Sequence, residues 1–180
     1  MNIDSVEAQV IESVKAIPAL FPNGAGDALW TQAIKLSIGK LGRTIDYRTC
    51  TSGFREEFDG EWLFDLCWYA TTPDGHLLEI LLAVESEWNR RFDAIRYDFE
   101  KLLVAKAKLK LMIFQASGSQ MEDYFHRLTK GVAAYKGGSD GEVYILACFD
   151  ETQWKFVLRR IPEKAEPGAR ANDHACHASC

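Results

Sequence analysis

The sequence predicts an α/β fold, a mixed central sheet flanked by helices on both faces. Three observations point there. Apolar residues recur at helical spacing in several separate segments, β-branched and aromatic runs lie between those segments, and the turn sequence TTPDGH joins two of the runs directly. Taken along the chain, the order is helix, strand, strand, strand, helix, strand, helix, strand, strand.

Residues 2 to about 16 place Ile3, Val6, Val10, Ile11 and Val14 on one helical face, and IPALFPNGAGD then breaks the pattern with two prolines and two glycines. Asp27 is placed to cap a second helix, whose stripe of Leu29, Trp30, Ala33, Ile34, Ile38 and Leu41 ends at Gly42. Thr44–Ser52 and Glu61–Ala70 have strand composition, and Leu77–Glu87 is a third strand across the TTPDGH turn. Residues 92 to 107 return to helical spacing through Phe92, Ile95, Phe99, Leu102 and Leu103. Lys108–Phe114 reads as a buried strand, Ser117–Tyr135 as a helix, Glu142–Phe149 as another buried strand, and Gln153–Ile161 as an edge strand.

At 180 residues, with 47% apolar and 26% charged residues, the chain has the make-up of one globular domain, expected over residues 1–162 with its core at about 27–161. Residues 163–180 lack large apolar side chains and read as a disordered tail. No apolar run reaches the roughly 20 residues of a membrane span, and the acidic, helix-patterned N-terminus is unlike a secretory signal, so a cytoplasmic setting without membrane contact is expected. Of the five cysteines, Cys50, Cys67 and Cys148 fall in apolar strand segments and read as reduced core residues. The net charge of −5 supplies no global field for a polyanion, so nucleic-acid binding requires a local basic patch or a metal ion.

The stretch LLAVESEWN carries the chemistry. An apolar strand ends in Glu85 and Glu87, which alternation puts on one side of the sheet. With Glu61–Ala70 and Leu77–Glu87 taken as a hairpin whose facing residue numbers sum to about 148, Asp65 lies opposite Ala83. Leu63, Asp65, Cys67, Ala83, Glu85 and Glu87 then share one face, while Trp62, Phe64, Leu66, Trp68, Leu82 and Val84 form a core face. Asp65 and Glu85 become diagonal neighbours at about 5 to 8 Å between β-carbons. Three acids so placed repel one another unless a cation sits among them, and Mg²⁺ or Mn²⁺ suits carboxylate oxygens. An isolated Glu-x-Glu more often ends a strand in solvent. Asp65, set between Phe64 and Leu66, is harder to place without a partner, since unpaired buried charge is costly.

An Asp on one strand, a Glu-x-Lys-like element on the next, then a helix and a strand resembles the PD-(D/E)xK nuclease superfamily, with its restriction-endonuclease-like fold. FDLCWYATTPDGHLLEILLAVESEWN carries the match, and AVESEW, DFEKLL and LKLMIF are similar to a bacterial branch of that superfamily with Glu-x-Glu in place of Glu-x-Lys. The resemblance spans Asp27 to Ile161 in element order. It implies a metal-dependent nuclease with Asp65 and Glu85 as metal ligands. Glu87 stands where most members have the Lys that positions or activates the attacking water. Two compensations are open: Glu87 itself orients the water and takes its proton, or Lys101 of the following helix replaces the lysine. Lys101 also reads as an ordinary surface partner of Asp98 at i, i+3.

Arg90, Arg91 and Arg96 follow the acidic pair, and Lys106, Lys108 and Lys110 come later. Charge patterning makes them solvated helix flanks, while the functional reading makes them, the arginines above all, a basic rim for substrate phosphates. Nucleic acid is the expected partner, DNA ahead of RNA, and a homodimer is left open. The rival reading is a catalytically inactive member of the same fold acting as a protein- or nucleic-acid-binding module. His174, Cys176, His177 and Cys180 form a compositional metal signal in the tail, and His76 and His126 read as surface residues.

Overall fold

The computed structural model describes residues 2–150 and the backbone of the strand at 155–161; the expected tail and its Cys/His cluster lie outside the described residues. Four α-helices are described: α1 (Ile3–Ala16), α2 (Asp27–Thr44), α3 (Phe92–Val104) and α4 (Gly118–Ala134). The strands are β1 (Arg48–Thr51), β2 (Leu66–Thr71), β3 (Leu77–Glu87), β4 (Ala107–Ala116), β5 (Val143–Asp150) and β6 (Lys155–Ile161). They form one mixed sheet in chain order. β1, β2 and β3 are antiparallel, β3, β4 and β5 are parallel, and β6 returns antiparallel at the edge. The predicted α/β class and the helices on both faces are therefore present.

Each parallel crossover needs a helix, and α3 and α4 supply both, burying Ile95, Phe99, Leu102, Phe125 and Leu128 against one face. On the other face α1 and α2 lay Val6, Val10, Trp30, Ile34 and Ile38 onto Leu66, Trp68, Leu82 and Val84. Helix ends differ in detail from expectation. Asn2 caps α1 by accepting from Asp4 N–H at 3.0 Å, whereas Asp27 is the first helical residue of α2 behind a Gly26 cap, where its charge favours the helix dipole instead.

The strand expected from Glu61 starts only at Leu66. Residues 54–58 form a turn, and Asp59 after it lies against the outer edge of β1, where Asp59 N–H donates to Thr49 O at 2.9 Å and Thr51 N–H to Asp59 O at 3.0 Å. The chain must then cross the end of β1 to reach its other edge, so residues 60–65 cannot pair as a strand. The crossing turns Phe64 to the α3/α4 face and leaves Trp62 43% and Leu63 61% exposed, correcting the placement of Trp62 and Phe64 with Leu66 on the opposite core face. Register differs too. Cys67 faces Ala83 and Leu66 faces Val84, because two irregularities near the turn shift the hairpin. Continued by one pair, this sets Asp65 across from Glu85 rather than Ala83.

Helix α2 runs past its stripe because Gly42 lets it close on the sheet. A Cβ there would lie 2.5–2.7 Å from the indole of Trp68, which is fully buried and donates its Nε1–H to Ile38 O at 3.1 Å. Alanine is ordinarily the better helix former by about 1 kcal/mol, but overpacking against a fixed indole outweighs that gain. Gly42→Ala is expected to lower the unfolding free energy by about 1–3 kcal/mol in urea titrations.

Candidate active site

Asp65 and Glu85 meet where β2 begins and β3 ends. Asp65 sits in the bend just before β2, and its Oδ2 accepts two hydrogen bonds from Ser86, from the backbone N–H at 2.8 Å and the hydroxyl at 2.7 Å. Ser86, the residue between the two glutamates, thus pins the aspartate to β3. Thr51 holds the same bend from β1, its hydroxyl donating to Asp65 O at 2.7 Å.

Glu85 is only 2% exposed, on the face covered by α3. Lys101 of α3 reaches it: Nζ donates to Glu85 Oε2 at 2.9 Å and contacts Asp98 Oδ1 at 2.8 Å. The i, i+3 pair with Asp98 is present as expected, with the Lys101 side chain 39% exposed, and the same ammonium also reaches Glu85. Glu85 Oε1 is buried without a hydrogen-bond partner. Burial pushes the Glu85 carboxyl up to about 7, against the pull of the Lys101 hydrogen bond and with the help of the Asp65 charge. Burial also works against the Lys101 charge, but its hydrogen bonds to Asp98 and Glu85 win and hold its pKa above the ordinary lysine value.

A second lysine enters from the other side of the sheet. Lys35 of α2 is 7% exposed, with Nζ 2.7 Å from Ser52 Oγ, 3.3 Å from Glu61 Oε2 and 3.9 Å from Asp65 Oδ1. The hydrogen bond from Ser52 keeps Glu61 below the usual carboxylate range, and Lys35 adds to that effect. Sequence reading missed Lys35, Ser52 and Glu61. The available signal was a lysine beside the apolar stripe, between Ile34 and Ile38, where a long stem can be buried while the ammonium reaches past it.

Glu87 does not join this cluster. Its Oε1 accepts from Asn89 N–H at 2.7 Å and so shapes the loop after β3. The expected convergence of Asp65, Glu85 and Glu87 is corrected accordingly: among the described residues no three His, Cys, Asp or Glu side chains are grouped to hold a metal ion. What remains is a pair of carboxylates, one with an orphaned buried oxygen and the other with an oxygen engaged only by a distant ammonium. Such a pair suits a hard cation that keeps most of its water shell, as Mg²⁺ does.

The basic rim is redistributed. Arg90 and Arg91 lie in the loop entering α3, as expected, but Arg96 points along α3 toward Asp93 at 3.6 Å and Glu100 at 3.7 Å. Lys108 pairs with Glu79 at 2.9 Å. Lys110 is fully buried, hydrogen-bonded to Glu142 at 2.6 Å and Tyr144 at 3.0 Å, so it belongs to the core and not to a rim. Cys50, Cys67 and Cys148 are buried free thiols, and His76 and His126 are exposed.

The raised Glu85 pKa fixes a sign. A carboxyl raised in the fold favours folding below its unfolded value, near 4.5, and loses that contribution as pH rises through about 7. At about 1.4 kcal/mol per unit, the metal-free protein should lose on the order of 3 kcal/mol across this window. Glu85→Gln, which cannot ionise, should match wild type near pH 5 and exceed it in melting temperature at pH 8 in the presence of a chelator. Parallel curves for the two proteins would show that Glu85 titrates normally. Compared with protein-family models, with curated proteins and with solved structures, the chain matches none, so its reading rests on this geometry and on the sequence.

Proposed function

We propose that the protein is a metal-dependent phosphodiesterase acting on nucleic acid, of the PD-(D/E)xK kind and restriction-endonuclease-like fold, in a cytoplasmic setting. One observation carries the reading: Lys101 Nζ lies 2.9 Å from Glu85 Oε2, on a strand whose neighbour brings Asp65 alongside. An acid–acid–lysine set is thereby assembled although the strand lacks the motif lysine. The order of helix, three antiparallel strands, helix and parallel strand supports it as well.

Asp65 and Glu85 would hold Mg²⁺ or Mn²⁺, which when bound lowers the pKa of a water and polarises a phosphoryl oxygen. The protein's own part is positional and electrostatic. Ser86 fixes the Asp65 carboxylate through two hydrogen bonds, so that its other oxygen is presented at a constant place. Lys101 stays charged because Asp98 shares it, and its ammonium stands beside Glu85 to orient a nucleophilic water and to offset negative charge gathering on the phosphate. Lys35 limits the repulsion between Asp65 and Glu61 on the far side.

A second reading, an inactive binding module, is favoured by the near-complete burial of Glu85 and by the engagement of Glu87 with Asn89. Cleavage of plasmid and single-stranded DNA in Mn²⁺ separates the two. Asp65→Asn, Glu85→Gln and Lys101→Met are each expected to lower the rate by about 100-fold or more, with calorimetric Mn²⁺ binding lost in the first two. Equal cleavage by all four proteins would mean a contaminant and sink the proposal. Absence of cleavage in wild type, with DNA binding retained, would establish the module.

A further inference from the structure

Glu87 and Asn89 lead the chain into an open cleft of about 480 Å³ between the start of α3 and the first half of α4. Three guanidinium-bearing residues line it, Arg90, Arg91 and Arg127, together with Asn89, Gln120 and Tyr124. Several other cations of this acidic protein face an acid at short range, as Lys15 does Glu12, Arg48 Asp59 and Lys108 Glu79, each at 2.8–2.9 Å. Among the described residues that line the cleft the one acid is Asp93, which faces Arg96 at 3.6 Å, and the acid reached by Arg127, Asp123, lies outside the lining.

The cleft is built rather than incidental. The Arg127 guanidinium carbon lies 3.4 Å from the centroid of the Phe92 ring, and Phe92 packs on Tyr124 with centroids 5.2 Å apart. Stacking on a ring immobilises a guanidinium without using its in-plane N–H donors. Asp123 takes up Nη1 at only 3.4 Å, a long and weak contact. The loop across from it is tied down as well: Tyr124 OH donates to Arg90 O at 3.0 Å, and Asn89 Oδ1 accepts from Arg91 N–H at 3.1 Å. Fixed planar donors of this kind match the oxygens of a phosphate diester.

We infer that this cleft is a phosphate-binding subsite for a nucleic-acid strand, with Arg91 and Arg127 as its principal contacts. The choice of a nucleic-acid strand as the source of the phosphate rests on the phosphodiesterase reading above. Arg127 was not foreseen from sequence, because it lies far along the chain from Arg91, on a different helix, and reaches the cleft only through the packing of α4 against α3. In this assignment it takes the place that Arg96, turned to its own helix, does not fill.

The test is fluorescence anisotropy with a short labelled single-stranded oligodeoxynucleotide, in chelator, between about 50 and 200 mM salt. Arg91→Ala and Arg127→Ala should each weaken binding about fivefold to tenfold and flatten the salt slope by about 0.7, the value for one lost phosphate contact on a single strand. Arg127→Lys, which keeps the charge but not the planar stack, should recover part of the loss. Arg96→Ala should change affinity less than about twofold. Equal effects of the Arg96 and Arg127 substitutions, or no binding by wild type, would overturn the assignment. Displacement of the oligonucleotide by micromolar inorganic phosphate would also overturn it, by making the ligand a small phosphate. Glu85→Gln separates the two levels: undiminished oligonucleotide affinity with abolished cleavage supports both, whereas undiminished affinity without cleavage in wild type retains the subsite and removes the enzyme.

Discussion

The burial of Glu85, reached by the half-exposed Lys101, constrains what surrounds it. A carboxylate at the end of an apolar strand, covered by a helix, costs several kcal/mol unless a partner reaches it. That partner has to come from the covering element, because the neighbouring strands offer Met112 and, past Asp65, apolar side chains. Helix α3 is the crossover between two parallel strands, so it is obliged to run back over β3. A lysine on its β2 flank, held by Asp98 one turn earlier, is then delivered to Glu85 by topology.

The same spot couples the two sides of the sheet. Lys35 extends from α2, which packs on the opposite face, and reaches Ser52, Glu61 and Asp65 around the sheet's end. Glu61 and Asp65, the two acids it reaches, both belong to the 60–65 crossing that precedes β2. The departure from regular strand structure at Glu61–Asp65 is thus what makes the cluster two-sided. Ser86 completes it by tying that irregular bend to the third strand through both its backbone and its hydroxyl.

Much of this was legible in the sequence. The apolar stripes of α1, α2 and α3 stand out, because a one-sided helix must repeat at helical spacing. The TTPDGH turn announces the hairpin, and the two-residue error in register is mild from Leu66 onward because a slip by an even number keeps paired strand residues on their faces, whereas Trp62 and Phe64 precede the pairing and do not follow it. Other features were hidden for definite reasons. The 54–60 segment looks like a polar loop, and its bridge to β1 at Asp59 depends on backbone hydrogen bonds that composition does not encode. Lys110 reads as part of a basic string, yet Glu142 and Tyr144 on the adjoining strand hold it in the core. Arg127 and Lys35 reach their sites by tertiary packing of helices distant in sequence.

The location of the lysine on a helix rather than on the strand has a chemical consequence. A lysine two residues after Glu85 on β3 would be anchored by the strand, and its environment would change whenever the carboxylate beside it gained a proton or a cation. On α3 the ammonium is shared with Asp98, so it has a second partner that is independent of Glu85. Asp98 therefore gives Lys101 a partner whether or not Glu85 carries its charge, and Glu87 takes no part in holding the ammonium. Glu87 instead accepts the Asn89 N–H and sets the course of the loop carrying Arg90 and Arg91. With the ammonium near Glu85 supplied by α3, the last side chain of β3 serves as a support for the loop that enters the basic cleft.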